Sequence, residues 1–107
     1  MAKLDNAITD NFDQLPRQRK RSRLEIYKDI LTALIREDAE HPRPSLTRVA
    51  NRVNMPYDRL VNILEVLNVA GLCEPSDRAY RVSLKGAEFL TEYRRFSESI
   101  NRLGIRS

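Results

Sequence analysis

The chain has 107 residues, enough for one domain with a single modest core and too few for two independent ones. Hydrophobic residues make up 41% and charged residues 32%, with three glycines, no tryptophan and a net charge of +4, the composition of a soluble, helix-rich protein. A lone Cys73 and a lone His41 exclude a disulfide framework and an intrachain zinc cluster.

No glycine-rich phosphate loop, nucleophile elbow or repeated metal-ligand spacing appears, so the sequence argues against an enzyme and implies no cofactor and no metal. No apolar run approaches the ~20 residues that span a bilayer. The N-terminus MAKLDNAITD lacks the apolar core of a signal peptide. The expected location is cytoplasmic, with no membrane partner.

Residues 1–22 read as a flexible extension. Within it Leu4, Ile8, Phe12 and Leu15 recur at helical spacing, which suits either a short amphipathic helix for a protein partner or a disordered segment. The segment Arg17–Arg23 (RQRKRSR) then holds five positive and no negative residues, whereas residues 1–16 sum to −2 and residues 24–107 to +1. A basic run immediately before a folded body suits phosphate neutralisation, the plain alternative being a solvated linker. Five neutralised phosphates would give a log–log salt slope on the order of −4 to −5.

The first helix is expected from Ser22, a side-chain cap with Glu25 three residues on as its reciprocal partner. Leu24, Tyr27, Ile30, Leu31 and Leu34 form its apolar stripe. The polar linker Glu40–Pro44, which contains His41, follows. The next helix comes from SLTRVANRV, with Ser45 as cap and Leu46, Val49, Ala50 and Val53 on one face. Asn54-Met55-Pro56 is a turn, because proline disfavours helical geometry in the residue before it and is tolerated where a helix begins. A third helix runs from about Tyr57 to Ala70, burying Leu60, Ile63, Leu64 and Leu67, and Gly71 stops it.

Leu72–Glu74 and Tyr80–Leu84 flank the turn-rich Pro75–Ala79 and read as a small hairpin, with Cys73 half-buried in it. From Lys85 to Leu103 the residues Phe89, Tyr93, Phe96, Ile100 and Leu103 are spaced four, three, four and three, the pattern of a coiled-coil seam. Part of that stripe would be exposed in a monomer, so it is the expected dimer interface of a homodimer. The alternative is that it folds back on its own domain.

Helix, helix, tight turn, helix and hairpin in that order make a winged helix-turn-helix. The expected fold is mainly α with a small β-hairpin wing, over residues 23–84, followed by a C-terminal dimerisation helix and tail over 85–107. Positive charge is segregated onto the motif: Arg43, Arg48, Arg52 and Arg59 surround it with Asp58 opposing, whereas Leu24–Glu40 has five acids and two bases.

The runs RSRLEIYKDILTAL, LTRVANRVNMPYDRLVNILEVLNVAGL and YRVSLKGAEFLTEYRRF resemble the archaeal winged-helix DNA-binding proteins of the Sulfolobus 10a chromatin type, also grouped as ArnR-like winged helices. The likeness covers roughly residues 21–102. Its most specific elements are Arg-Leu-Glu-Ile at Arg23–Ile26, Asn-x-x-Tyr at Asn54–Tyr57 and the Lys-Gly start of the last helix at Lys85. This resemblance implies a homodimer with paired C-terminal helices and double-stranded DNA as ligand. It also implies a recognition helix presenting Tyr57, Asp58, Arg59 and Asn62 to the major groove, and a wing tip at Asp77 and Arg78 on an adjacent backbone. Pro56 stands where the pattern often has a capping serine, the last helix is short, and residues 1–20 lie outside the pattern.

Side-chain chemistry extends the assignment. Arg59 can pair bidentately with guanine and Asn62 with adenine. The remaining candidate DNA-binding residues are Arg17, Arg19, Lys20, Arg21 and Arg23 of the arm, Arg43, Ser45, Thr47, Arg48 and Arg52 around the second helix, and Arg78 of the wing. The expected function is a transcriptional regulator or chromatin-associated protein. The alternative is a winged-helix protein-interaction subunit of a larger complex, because fold alone does not decide function.

Overall fold

The structure, a computed structural model, describes residues 21–104. The amphipathic stretch Leu4–Leu15 and the basic residues Arg17, Arg19 and Lys20 lie outside the described residues. The elements are α1 (Arg23–Glu40), α2 (Leu46–Val53), α3 (Tyr57–Val69), β1 (Cys73–Pro75), β2 (Tyr80–Val82) and α4 (Leu84–Arg102). They form a mainly helical body with one antiparallel hairpin, the winged helix-turn-helix arrangement. Among the described residues, no helix is long and apolar enough to cross a membrane.

Helix α1 begins in the expected capping box. Ser22 Oγ accepts the Glu25 N–H at 3.1 Å and Glu25 Oε1 accepts the Ser22 N–H at 2.9 Å, so two orphan donors are satisfied reciprocally. Its buried face is Ile30, Leu31, Ala33, Leu34 and Glu37. Leu24, expected in that stripe, is 55% exposed, because the first turn projects past the core, which α1 joins at Ile26 and Tyr27.

Helices α2 and α3 end in the same way. At the end of α2, Asn54 takes a left-handed conformation (φ 57°), its N–H bonds Asn51 O at 3.2 Å, and the Met55 N–H reaches back five residues to Ala50 O at 3.1 Å. After α3, Gly71 (φ 83°) donates to Asn68 O and Leu72 to Leu67 O, both at 2.9 Å. Each pair of bonds is a Schellman closure; glycine adopts its geometry freely, and asparagine is the side chain that tolerates it best. Pro56 then opens α3 with no side-chain cap. Leu60, Leu64 and Leu67 of α3 meet Val49, Ala50, Val53 and Met55 in one cluster with α1, and Ile63 is only partly buried.

The hairpin pairs Cys73 with Val82, Glu74 with Arg81 and Pro75 with Tyr80. Its first strand lies one residue later than expected and its second ends two residues earlier, because Ser83 is recruited to cap α4 and Leu84 is already helical. Cys73 is fully rather than half buried, with its Sγ directed at Leu64 O (3.7 Å), and burial pushes the thiol up to about 11, away from reactive chemistry.

Helix α4 is locked to the wing at its start. Ser83 Oγ accepts the Gly86 N–H at 3.0 Å and donates to Gly71 O at 2.6 Å, and Lys85 Nζ caps the end of α3 through Ala70 O at 2.9 Å. A Cβ on Gly86 would stand 2.1 Å from Leu72 O, so only glycine allows this approach. Phe89 and Leu90 pack on the core. Tyr93 lies beside Phe89, ring centroids 6.2 Å apart, and beneath Lys28 Nζ at 5.8 Å. Further on, Phe96 and Leu103 are 66% and 72% exposed and Ile100 is half-buried.

Candidate nucleic-acid interface

The recognition surface is the outer face of α3. Tyr57, Asp58, Arg59 and Asn62 are all exposed, and Arg59 and Asn62 are three residues apart, on one side of the helix as neighbours. The pairing of Leu60 and Leu64 with the core turns these polar residues outward; amphipathicity alone dictates which side chains a ligand meets.

Helix α2 behaves differently from its sequence expectation. Its arginines point toward α1, where Glu37 sits 1% exposed in the core. Glu37 Oε2 accepts the Arg48 Nε–H at 2.6 Å and the Ser45 N–H at 3.0 Å, and Arg52 Nε stands 3.8 Å from Oε1. Arg52 also donates to Glu40 Oε1 at 2.5 Å, and this guanidinium holds the Glu40 carboxyl below its usual range. Arg48 Nη2 reaches Arg43 O at 2.7 Å. Ser45 Oγ accepts the Arg48 N–H at 3.3 Å as the helix cap. Arg48 and Arg52 are therefore charge-compensated by Glu37 and Glu40 although both residues remain exposed, as is Thr47, the uncharged candidate on α2.

Glu37 is the residue that pattern reasoning passed over. It stands seven residues after Ile30 and three after Leu34, on the buried stripe, and a carboxylate there signals a cationic partner from elsewhere in the chain.

Arg21 marks where the basic arm meets the body. Its guanidinium donates to Asp29 Oδ2 at 2.8 Å and to Val53 O at 2.9 Å, beside the turn that precedes α3. Burial opposes ionisation of Asp29, but hydrogen bonds from Lys28 and Arg21 outweigh it and hold the carboxyl below its usual range; in return Asp29 raises Lys28. Arg23 is exposed in the first turn of α1.

On the other flank, the wing turn Ser76–Ala79 is closed by the Ser76 N–H to Ala79 O bond at 3.0 Å and presents Arg78 to solvent. Arg43 is exposed in the α1–α2 loop. Among the described residues Arg43, Arg59, Arg78 and Arg81 form no ion pair, unlike Arg21, Arg48 and Arg52. Arg81 was not among the sequence candidates, since a residue inside a short strand carries no periodic signal of its own.

Two helices joined by a Schellman turn, with the polar face of the second outward and a hairpin beside it, define a winged helix-turn-helix module, a class whose usual ligand is DNA. The sequence profile of the winged helix-turn-helix family matches residues 20–101, and the chain belongs to that family. Among curated proteins, none matches the chain.

Proposed function

We propose that the protein binds double-stranded DNA as a transcriptional regulator or chromatin-associated protein, with α3 in the major groove. The observation that carries this is the division among its arginines: those facing α1 are neutralised by Glu37 and Glu40, while Arg59 on the recognition helix, Arg43 in the α1–α2 loop and Arg78 in the wing turn are exposed and form no ion pair among the described residues. Arg59 and Asn62 read bases, Arg43 and Arg78 take phosphates, and Arg17, Arg19 and Lys20, which precede Arg21 in the chain, neutralise further backbone phosphates. The resemblance to the archaeal 10a and ArnR-like winged helices supports the same ligand. It also supports a homodimer paired through the exposed end of α4, by Phe96, Ile100 and Leu103, with Phe89 already used by the protein's own core and Tyr93 at the margin.

Selection from a random duplex library followed by Arg59→Ala tests base reading. Arg59→Ala is expected to weaken the selected site by about 1–3 kcal/mol while leaving random duplex nearly unchanged. Equal weakening on both sequences overturns base reading by Arg59.

A further inference from the structure

A cleft of about 400 Å³ opens between the α1–α2 loop and the wing turn, rimmed by Arg43, Arg78 and Arg81 with Asp38 and Asp77. Its walls are held in place independently of any ligand. On one side the Arg43 carbonyl is bonded by Arg48, which is itself anchored on the buried Glu37. On the other the turn is closed between Ser76 and Ala79, and Ala79 is buried. Arg81 rises from β2 opposite Glu74, but Glu74 neither lines the cleft nor forms an ion pair with it. Three guanidiniums with no internal partner face two carboxylates, a formal excess of one positive charge. That excess equals the single negative charge of a phosphodiester, and a guanidinium's planar fork suits phosphate oxygens.

We propose that this cleft seats one backbone phosphodiester of bound duplex DNA, held jointly by Arg43, Arg78 and Arg81. The proposal rests on the DNA-binding function above. Arg81 thereby becomes a DNA-contacting residue, and Arg43 and Arg78 act as parts of one site instead of two. Glu37 is a positioning residue for it, acting through Arg48.

A shared phosphate has a signature that three separate contacts lack. Each neutralised phosphate contributes about 0.9 to the log–log salt slope of duplex binding. With full-length protein and a fluorescent random duplex, Arg43→Gln, Arg78→Gln and Arg81→Gln are each expected to lower the slope by up to about 0.9, and the triple variant by about 0.9 in total. Arg81→Lys retains the charge and most of the slope, Arg94→Gln on α4 leaves it unchanged, and matching thermal melts confirm that each variant is folded. A triple variant with an unchanged slope overturns the seat while leaving DNA binding intact. A triple loss near 2.7 assigns three separate phosphates and overturns the sharing. Wild-type protein that shows no salt-dependent duplex binding overturns both the seat and the function on which it rests.

Discussion

Glu37 and Arg48 join the first two helices through a 2.6 Å charge-assisted hydrogen bond between a carboxylate 1% exposed and the guanidinium Nε of a partly exposed side chain. The same carboxylate oxygen takes the N–H of Ser45, so the pair determines how the α1–α2 loop enters α2. Glu37→Ala removes the buried carboxylate and leaves the Ser45 N–H without its acceptor, while the arginines it faced reach solvent and can be hydrated. It is therefore expected to cost about 1–3 kcal/mol in urea unfolding. Arg48→Ala leaves Glu37 buried with Arg52 and the Ser45 amide still facing it, and should also destabilise. A loss below about 1 kcal/mol for Glu37→Ala would show that the pair does not organise the fold.

Gly86 is expected to tolerate no side chain. The Leu72 carbonyl oxygen stands 2.1 Å from an added Cβ and Val82 Cγ1 stands 2.8 Å from it, and the first obstacle is backbone. Gly86→Ala should destabilise by roughly 3 kcal/mol, at the upper end of the cost of overpacking, and loosen the wing. Hydrogen exchange at Ser83 and Leu72, whose N–H and carbonyl are bonded at 3.1 Å, reads this directly: the Ser83 amide should lose protection in the variant.

Acid sensitivity should centre on Asp29 and Glu40. Both carboxyls are held below their usual range by cationic partners. A lowered folded pKa means stability that is fully present above the unfolded value, about 3.9 for Asp and 4.3 for Glu, and is lost as pH falls through the folded value. Thermal melts between pH 7 and pH 5 should therefore change little on account of these groups, with the loss setting in below about pH 4. Asp29→Asn is expected to flatten that acid limb; an unaltered limb would remove Asp29 from the explanation.

Much of the fold was legible because its signals are local. The Ser22–Glu25 box, the Ser45 cap, the Asn54–Pro56 turn and the Gly71 stop each act within a few residues, and each appears where the sequence put it. The wing's register was less legible, since Ser83 and Leu84 suit a strand as well as a cap and a first helical turn, and the docking of Gly86 on Leu72 decides between them. The exposure of the α3 candidates was legible, since it follows from periodicity. The pairing of Arg48 and Arg52 was not, because a linear charge count cannot show that they meet Glu37 and Glu40 across a helix pair. The seam on α4 was legible as apolar, but spacing cannot tell a residue packed on its own domain, such as Phe89, from one left exposed, such as Phe96.

Dimerisation through α4 predicts a specific variant. Phe96 is 66% exposed, so Phe96→Glu should leave the stability of the monomeric fold within about 0.5 kcal/mol while halving the mass in sedimentation equilibrium. Wild-type protein sedimenting as a monomer at all concentrations would exclude this use of the helix.

The most direct test of DNA binding is fluorescence anisotropy of full-length protein on a random-sequence duplex across a salt series, beside a variant with Arg17→Gln, Arg19→Gln and Lys20→Gln. Leaving Arg21 and Ser22 in place keeps the Val53 contact and the α1 cap, so that only the arm's charge changes. Affinity should fall steeply with salt, and the variant's log–log slope should be shallower by up to about 2.7. No binding by either protein at low salt would contradict a DNA-binding function.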